Sequence, residues 1–210
     1  LLKEVVDNAV DEFIMGYGKH IEITIDGPKV RVRDYGRGIP LGKVVECVSQ
    51  INTGAKYNDD VFQFSVGLNG VGTKAVNALA SQFLVQSHRD GKFAGARFVR
   101  GELHKELAGK SPDEKNGTLI EFEPDPVIFG TVVYDDELVL RRLRLYACLH
   151  AGLTIHYNGQ EIVSEEGLTD LILEEVGDEA VYGPLHYRSP TLEIAFTHTQ
   201  RFNETFFSFV

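Results

Sequence analysis

Apolar side chains recur along this chain with two periods, and the changes of period mark its elements. In "LLKEVVDNAVDEFIMG", Leu2, Val5, Val6, Ala9, Val10 and Phe13 fall three and four apart, the spacing of one helix face. Gly16 or Gly18 would end that helix. "HIEITID" alternates instead, "DGPK" is rich in turn formers and "VRVRD" alternates again, so this stretch predicts a hairpin. "YGRGIP" predicts a loop and "GKVVECVSQI" a helix. "NTGAKYNDDVFQ" has no period and many turn formers, and is expected to be a mobile loop. "FSVGLNGVGTKAVNAL" reads as loop, then helix from about Val71. "FLVQSH", "KFAGARFV", "LHKEL" and "GTLIEFEP" predict successive strands, with Asp90-Gly91 turning the first pair. "DDELVLRRLRLYACLHAG" predicts a helix with acidic residues in its first turn and Gly152 as its C-cap. "LTIHYNGQEIV" predicts a hairpin about Asn158-Gly159, "GLTDLILEEVG" a short helix, and "TLEIAFTHT" and "ETFFSFV" two last strands. The order predicts an α+β fold, a mostly antiparallel sheet with helices grouped on one face. A boundary is expected between Gly183 and Pro190, where the pattern changes.

Bulk properties narrow the function classes. The chain has 210 residues, 43% hydrophobic and 25% charged, enough for one large domain with a sizeable core. Its formal net charge of −10 argues against a grip on DNA or anionic membrane by this segment alone, since such binding rests on clustered Lys and Arg. No apolar run is long enough for a membrane span, and no signal peptide is visible. Cys47 and Cys148 are far apart without metal-like spacing, as expected of buried thiols in a reducing compartment. The chain opens on Leu1 rather than Met and ends in a strand-like run, so it reads as a fragment of a longer protein.

Three glycines, Gly67, Gly70 and Gly72, precede a helix-like run, an arrangement that often holds phosphate. A P-loop would end in Lys-Ser/Thr; here Thr73 precedes Lys74. A dinucleotide fingerprint can be read from Gly70 to Ala75, but its βαβ context is missing. The later signatures of a protein kinase are absent from the sequence. Taken alone, these glycines also suit a plain turn at a helix start.

Three further clusters bear on the choice. Glu4, Asn8 and Asp11 share one helix face, where a solvated stripe would look the same. Asp34-Tyr35-Gly36-Arg37-Gly38-Ile39-Pro40 follows a strand, and its glycines allow close approach of backbone to a flat ligand; an ordinary Asp-x-Gly turn also fits. Asn116-Gly117-Thr118 opens a strand and is by itself a common turn. Together and in this order, E-x-x-x-N-x-x-D, D-x-G-x-G, G-x-x-G-x-G and N-G-T resemble the nucleotide-binding boxes of the GHKL ATPases. Within that superfamily "EVVDNAVDE", "DYGRGIP", "NTGAKY" and "GLNGVGTKAVNAL" resemble the B subunits of bacterial type IIA topoisomerases, DNA gyrase and topoisomerase IV, which the sequence does not separate. A MutL-type or chaperone ATPase of the same superfamily is the alternative.

The resemblance implies a Bergerat fold, a two-layer α/β sandwich with a mixed, mostly antiparallel sheet. It implies a GHKL ATP-binding domain over residues 1–185 and the first strands of a transducer domain over 186–210. It implies ATP hydrolysis with Mg²⁺, Glu4 being the general base toward water and Asn8 the metal ligand. Asp11 would orient the helix or the Mg²⁺ water shell, and Glu12 would pair with Arg37 at the pocket rim. Asp34 would read the base, aided by Thr118, with Gly38, Ile39 and Pro40 as the adenine wall. Gly67, Leu68, Asn69, Gly70, Val71, Gly72 and Thr73 would wrap the triphosphate with backbone N–H groups. Lys56 would add positive charge or close a lid, and Arg89 would lie at the outer edge, where inhibitors of the class reach. Asn69 replaces a His common in the family, and Phe62 a common Tyr.

The implied partners are a topoisomerase A subunit in an A2B2 assembly and a second ATPase domain that pairs on ATP binding. DNA would be bound by the full enzyme, in the bacterial cytoplasm at the nucleoid. The family's N-terminal arm would precede Leu1 and its transducer lysine would follow Val210. The chain alone is therefore expected to bind ATP, to hydrolyse it poorly and to stay largely monomeric.

Overall fold

Helix α1 (Leu2–Ile14) leads into a hairpin of β1 (His20–Asp26) and β2 (Lys29–Asp34), after which a short 3₁₀ turn precedes α2 (Val44–Ser49). The computed structural model describes residues 1–50 and 71–209. Helix α3 (Gly72–Ala78) opens the meander β3 (Ala80–Arg89), β4 (Lys92–Val99), β5 (Glu102–Lys110) and β6 (Gly117–Pro124). Next come α4 (Pro126–Phe129), α5 (Asp136–Leu149), β7 (Thr154–Tyr157), β8 (Gln160–Ile162), α6 (Leu168–Val176), β9 (Leu185–Arg188) and β10 (Glu193–Phe196).

Eight strands form one sheet in the order β5-β4-β3-β6-β2-β1-β7-β8, with β9 and β10 in a separate pair. Only β1 and β7 run parallel among these pairings; the others are antiparallel. Register builds the core in rows, because side chains two apart on a strand share a face. Val30, Phe122, Phe83 and Phe98 stand side by side across four strands. Ile23, Val32, Ile120, Val85 and Ala96 make the next row. Helices α1, α2, α3 and α5 cover this face. The other face is polar, with Glu121 bridging Lys29 at 3.2 Å and Arg31 at 3.4 Å. This is the two-layer α+β sandwich that the pattern and the resemblance predict.

The buried face does not stay apolar to its end. Beyond the Val32 row, the inward positions are Asp34 on β2, opposite Ile21, and the paired Thr118 and Ser87 on β6 and β3. A polar row at the edge of an apolar face marks the site.

Several expectations need correction. Helix α5 stops at Leu149 with His150 as its C-cap, and Gly152 takes its positive φ of +88° two residues later. "LHYR" forms β9, pairing with only the central residues Glu193–Phe196 of "TLEIAFTHT". Residues 204–209 adopt no regular structure, although their composition reads as a strand. A strand needs a neighbour for its backbone groups, and these described residues have none. Helix α4 was not anticipated, yet its signals are local: Asp125 accepts from Val127 N–H at 3.0 Å, and Pro126 occupies the first turn. The stretch "NTGAKYNDDVFQ" lies outside the described residues.

Candidate functional site

Asp34 closes β2 and points inward, with only 7% of its surface exposed. One oxygen, Oδ1, accepts the backbone N–H of Gly36 at 2.9 Å and of Thr118 at 3.2 Å. Burial pushes this carboxyl up to about 6; the two N–H donors and Arg33 pull the other way, and Glu12 adds to the rise. Around it the backbone is crowded. Gly38 has φ +74°, and a Cβ there would lie 2.8 Å from Ser87 Oγ and from the His88 carbonyl. Ser87 Oγ donates to the Ile39 carbonyl at 2.6 Å, tying the loop after β2 onto β3. Ile39 and Pro40 are half-buried, and the Pro40 carbonyl starts the 3₁₀ turn by accepting Lys43 N–H at 2.8 Å. Only glycine fits at 36 and 38, so a flat ligand meets backbone there rather than side chain.

Helix α1 supplies the second wall. Its apolar stripe (Val5, Val6, Ala9, Val10) faces the sheet, which turns Glu4 and Asn8 toward α3. Asn8 Nδ2 donates to Thr73 Oγ1 at 2.6 Å and to the Glu4 carbonyl at 2.7 Å. A Cβ on Gly72 would collide with Glu4 Oε2, so the backbone of α3 begins directly against that carboxylate. Asp11 is buried and Glu12 nearly so. Glu12 binds Arg37 three ways, by the backbone N–H at 2.8 Å, Nε at 3.2 Å and Nη2 at 2.9 Å. Tyr17 stacks on that guanidinium with 4.4 Å from Cζ to the ring centroid.

On its far side α1 is braced by α5. Tyr146 Oη donates to Asp7 Oδ1, and Lys3 holds Asp7 Oδ2. Burial, then the Asp7 carboxylate, pushes the Tyr146 phenol up, so it stays protonated and donating.

The structure therefore brings together Glu4, Asn8, Gly72 and Thr73 on one side, and Asp34, Gly38, Ile39, Ser87 and Thr118 on the other. Asp11, Glu12 and Arg37 line the α1 edge between them. Val71 caps α3 and is exposed, and Arg89 ends β3 beside the Asp90-Gly91 turn. Lys56, Gly67, Leu68, Asn69 and Gly70 lie outside the described residues. Sequence reasoning missed Arg33, Ser87, Asp7 and Tyr146. None of them had a distinctive local signal: in "VRVRD" Arg33 reads like Arg31, as an outward cation of an alternating strand, yet it is buried.

Chemically, the site offers a buried carboxylate with one oxygen already satisfied, a set of carboxylates on α1 and a helix start behind a glycine-rich stretch. Both hydrogen bonds of Asn8 use its nitrogen, so Oδ1 is the atom it offers to a hard cation. Among the described residues, no group of three or more His, Cys, Asp or Glu side chains could hold a metal ion by itself. Nor is any described helix long and apolar enough to cross a membrane.

Residues 1–127 match the model of a family described as histidine kinase-, DNA gyrase B-, and HSP90-like ATPase. Over its whole length the chain is 56% identical to the B subunit of DNA topoisomerase 4 from Borreliella burgdorferi, covering 35% of that protein. Over 97% of the chain it is 36% identical to the B subunit of DNA gyrase from Thermus thermophilus, covering 36% of it. The chain thus spans about a third of the length of these relatives. Among solved structures, the 43K ATPase domain of Thermus thermophilus gyrase B in complex with an aminocoumarin superposes with a TM-score of 0.80. The match covers 96% of this chain and 57% of that one at 30% identity.

Proposed function

This chain belongs to the histidine kinase-, DNA gyrase B-, and HSP90-like ATPase family, and from that we propose that it is the ATP-binding and hydrolysing part of a bacterial type IIA topoisomerase B subunit. The observation that carries the reading is Asp34, a buried carboxylate with its two backbone donors on one oxygen, beside Glu12 of α1, the helix that also holds Glu4 and Asn8 against α3.

Adenine presents an exocyclic amino donor, and the remaining oxygen of Asp34 accepts it. Guanine presents a carbonyl oxygen at that place, which an ionised carboxylate repels. An unpaired buried polar group costs about 1–3 kcal/mol, so ATP is favoured over GTP by about 5–150-fold. Thr118 fixes the carboxylate by its N–H, and Gly38, Ile39 and Pro40 form the wall beside the base. The triphosphate then runs toward α3, where its oxygens accept backbone N–H groups from Gly67 to Thr73 and Lys56 adds charge. Glu4 takes a proton from water aligned with the terminal phosphate, and its place against Gly72 sets that alignment. Asn8 offers Oδ1 to Mg²⁺, with Asp11 toward its water shell. Bound there, Mg²⁺ supplies charge neutralisation for the phosphates. Glu12 holds Arg37 at the rim.

In the whole protein, residues 186–210 begin a second, transducer domain. ATP binding pairs two such domains, and the pairing gates DNA passage through an A2B2 assembly with the A subunit, which cuts and rejoins the strands. That work takes place in the bacterial cytoplasm, at the nucleoid. The same pocket is a site for inhibitors.

Calorimetry with a nonhydrolysable ATP analogue and Mg²⁺ tests the reading. In Asp34→Asn, the amide oxygen would keep the two N–H donors and turn an NH₂ toward the base amino group. Affinity is expected to fall at least about tenfold. Glu4→Gln is expected to bind within about threefold of wild type, while the full-length enzyme carrying it loses hydrolysis. Equal affinity in Asp34→Asn removes base reading, and retained hydrolysis in Glu4→Gln removes the general base.

A further inference from the structure

Arg33 is a buried cation for which the proposed chemistry has no task. It leaves β2 on the open face of the sheet, one residue before Asp34, yet only 3% of it is exposed. Its Nη1 donates to the Asp34 carbonyl, and its Nη2 to the Lys115 carbonyl at 2.6 Å. The guanidinium lies over the Tyr35 ring, 4.6 Å from the centroid. Glu114 stands 3.9 Å away but is 57% exposed, so it offsets the charge weakly. A guanidinium buried without a close buried carboxylate is costly unless its hydrogen bonds secure something.

What they secure is visible in the chain path. Asp34 ends β2, and Lys115 immediately precedes Asn116-Gly117-Thr118, where β6 begins. The two carbonyls therefore belong to the two strands that meet at the base-reading carboxylate. Gly117 takes φ +134°, and a Cβ there would collide with both the Asp34 carbonyl and the Arg33 guanidinium. The gap being held is the 3.2 Å between Thr118 N–H and Asp34 Oδ1.

We propose that Arg33 is a positioning residue for base recognition: from behind the sheet it fastens the end of β2 to the loop before β6, and so sets the Asp34–Thr118 gap against which the base docks. The inference rests on the proposed function. Its charge reaches the same carboxylate. Burial and Glu12 of α1, itself paired with Arg37, favour the protonated form of Asp34; Gly36 N–H, Thr118 N–H and Arg33 favour the ionised form. Behind Arg33 stand Tyr35, Glu114 and His88, the last with its imidazole lowered by burial and then by Arg33.

The test uses the intact protein, with nonhydrolysable ATP and GTP analogues as probes, titrated from about pH 5 to about pH 8. Arg33→Gln is expected to bind the ATP analogue about tenfold more weakly, with a narrowed preference over the GTP analogue. The pH at which binding is half-developed is expected to rise by about half a unit, because the positive charge is gone. Arg33→Lys keeps the charge without the fork, so it restores that midpoint while preference stays narrowed. Preference and midpoint both unchanged in Arg33→Gln overturn the inference, even if its melting temperature falls, since a purely structural role moves neither. Should Arg33→Gln not fold, unchanged preference in Arg33→Lys overturns it. Failure of the wild type to prefer the ATP analogue instead sinks the proposed function.

Discussion

Asp34 and Glu4 carry the same functional group in unlike surroundings: Asp34 is enclosed by two strands and a glycine loop, and Glu4 lies half-buried on a helix face. Burial raises the Asp34 carboxyl from 3.8 to about 6. Between those values the fold holds a proton that the unfolded chain has released. Stability from this group is therefore full below about pH 4 and is lost as pH rises to about 6, a penalty of about 3 kcal/mol at neutral pH. A base amino group donates more strongly to the ionised form, so binding favours release of the proton. Nucleotide affinity should hence be level above about pH 6 and fall below it, by up to about tenfold per unit. The ratio of wild type to Asp34→Asn at each pH isolates this from titration of the phosphates. A ratio that does not change with pH would show that Asp34 does not titrate over this range. Much of this was legible in the motif, since Asp with glycines at +2 and +4 already indicated a close backbone approach. The raised carboxyl was not, because it comes from burial by elements distant in the chain, and that burial outweighs the N–H of Thr118, 84 residues away, which pulls the other way.

Helix α1 shows how an element is aimed. Its apolar stripe sets which face meets the sheet, and that much follows from spacing alone. Its rotation is held at both flanks, by Thr73 through Asn8 and by Tyr146 through Asp7. Phe13 also meets His150 edge-on at 6.2 Å, so α5 braces α1 at a second point. Tyr146→Phe removes one hydrogen bond to a carboxylate and should cost about 1–2 kcal/mol, or about 2–8 °C in melting temperature, readable by calorimetry. Affinity for an ATP analogue should stay within about twofold, because the Asn8–Thr73 contact remains. An unchanged melting temperature would mean that the brace contributes nothing. The sequence concealed it: Tyr146 and Asp7 lie 139 residues apart, and each reads as an ordinary helix residue.

The whole chain divides by how completely its strands are satisfied. In the eight-stranded sheet each strand has a partner and one face has a helical cover. Among the described residues the β9–β10 pair has no third strand; it packs against α6 but leaves large apolar side chains exposed, Tyr187 at 60% and Phe196 at 48%. A chain ending at Gly183 should therefore keep nucleotide affinity within about twofold and self-associate less in sedimentation, since apolar side chains left in water favour association. Loss of folding in that shortened chain would show that the pair supports the main sheet. The final strands were misjudged for the same reason, because β-branched and aromatic composition expresses a preference and a partner strand decides it.

Local chemistry was enough to specify the order of most helices and strands up to α6, the helix face bearing Glu4 and Asn8, and the glycines that allow backbone to approach a ligand. These depend on periods of two and 3.6 and on steric freedom at single residues, which neighbours in sequence determine. Tertiary structure alone decided that the inward row ends in Asp34, Thr118 and Ser87, that a buried Arg33 ties two strands behind them, and that Tyr146 braces the helix in front. Register and burial join residues distant in the chain, and no local pattern encodes the distance between them.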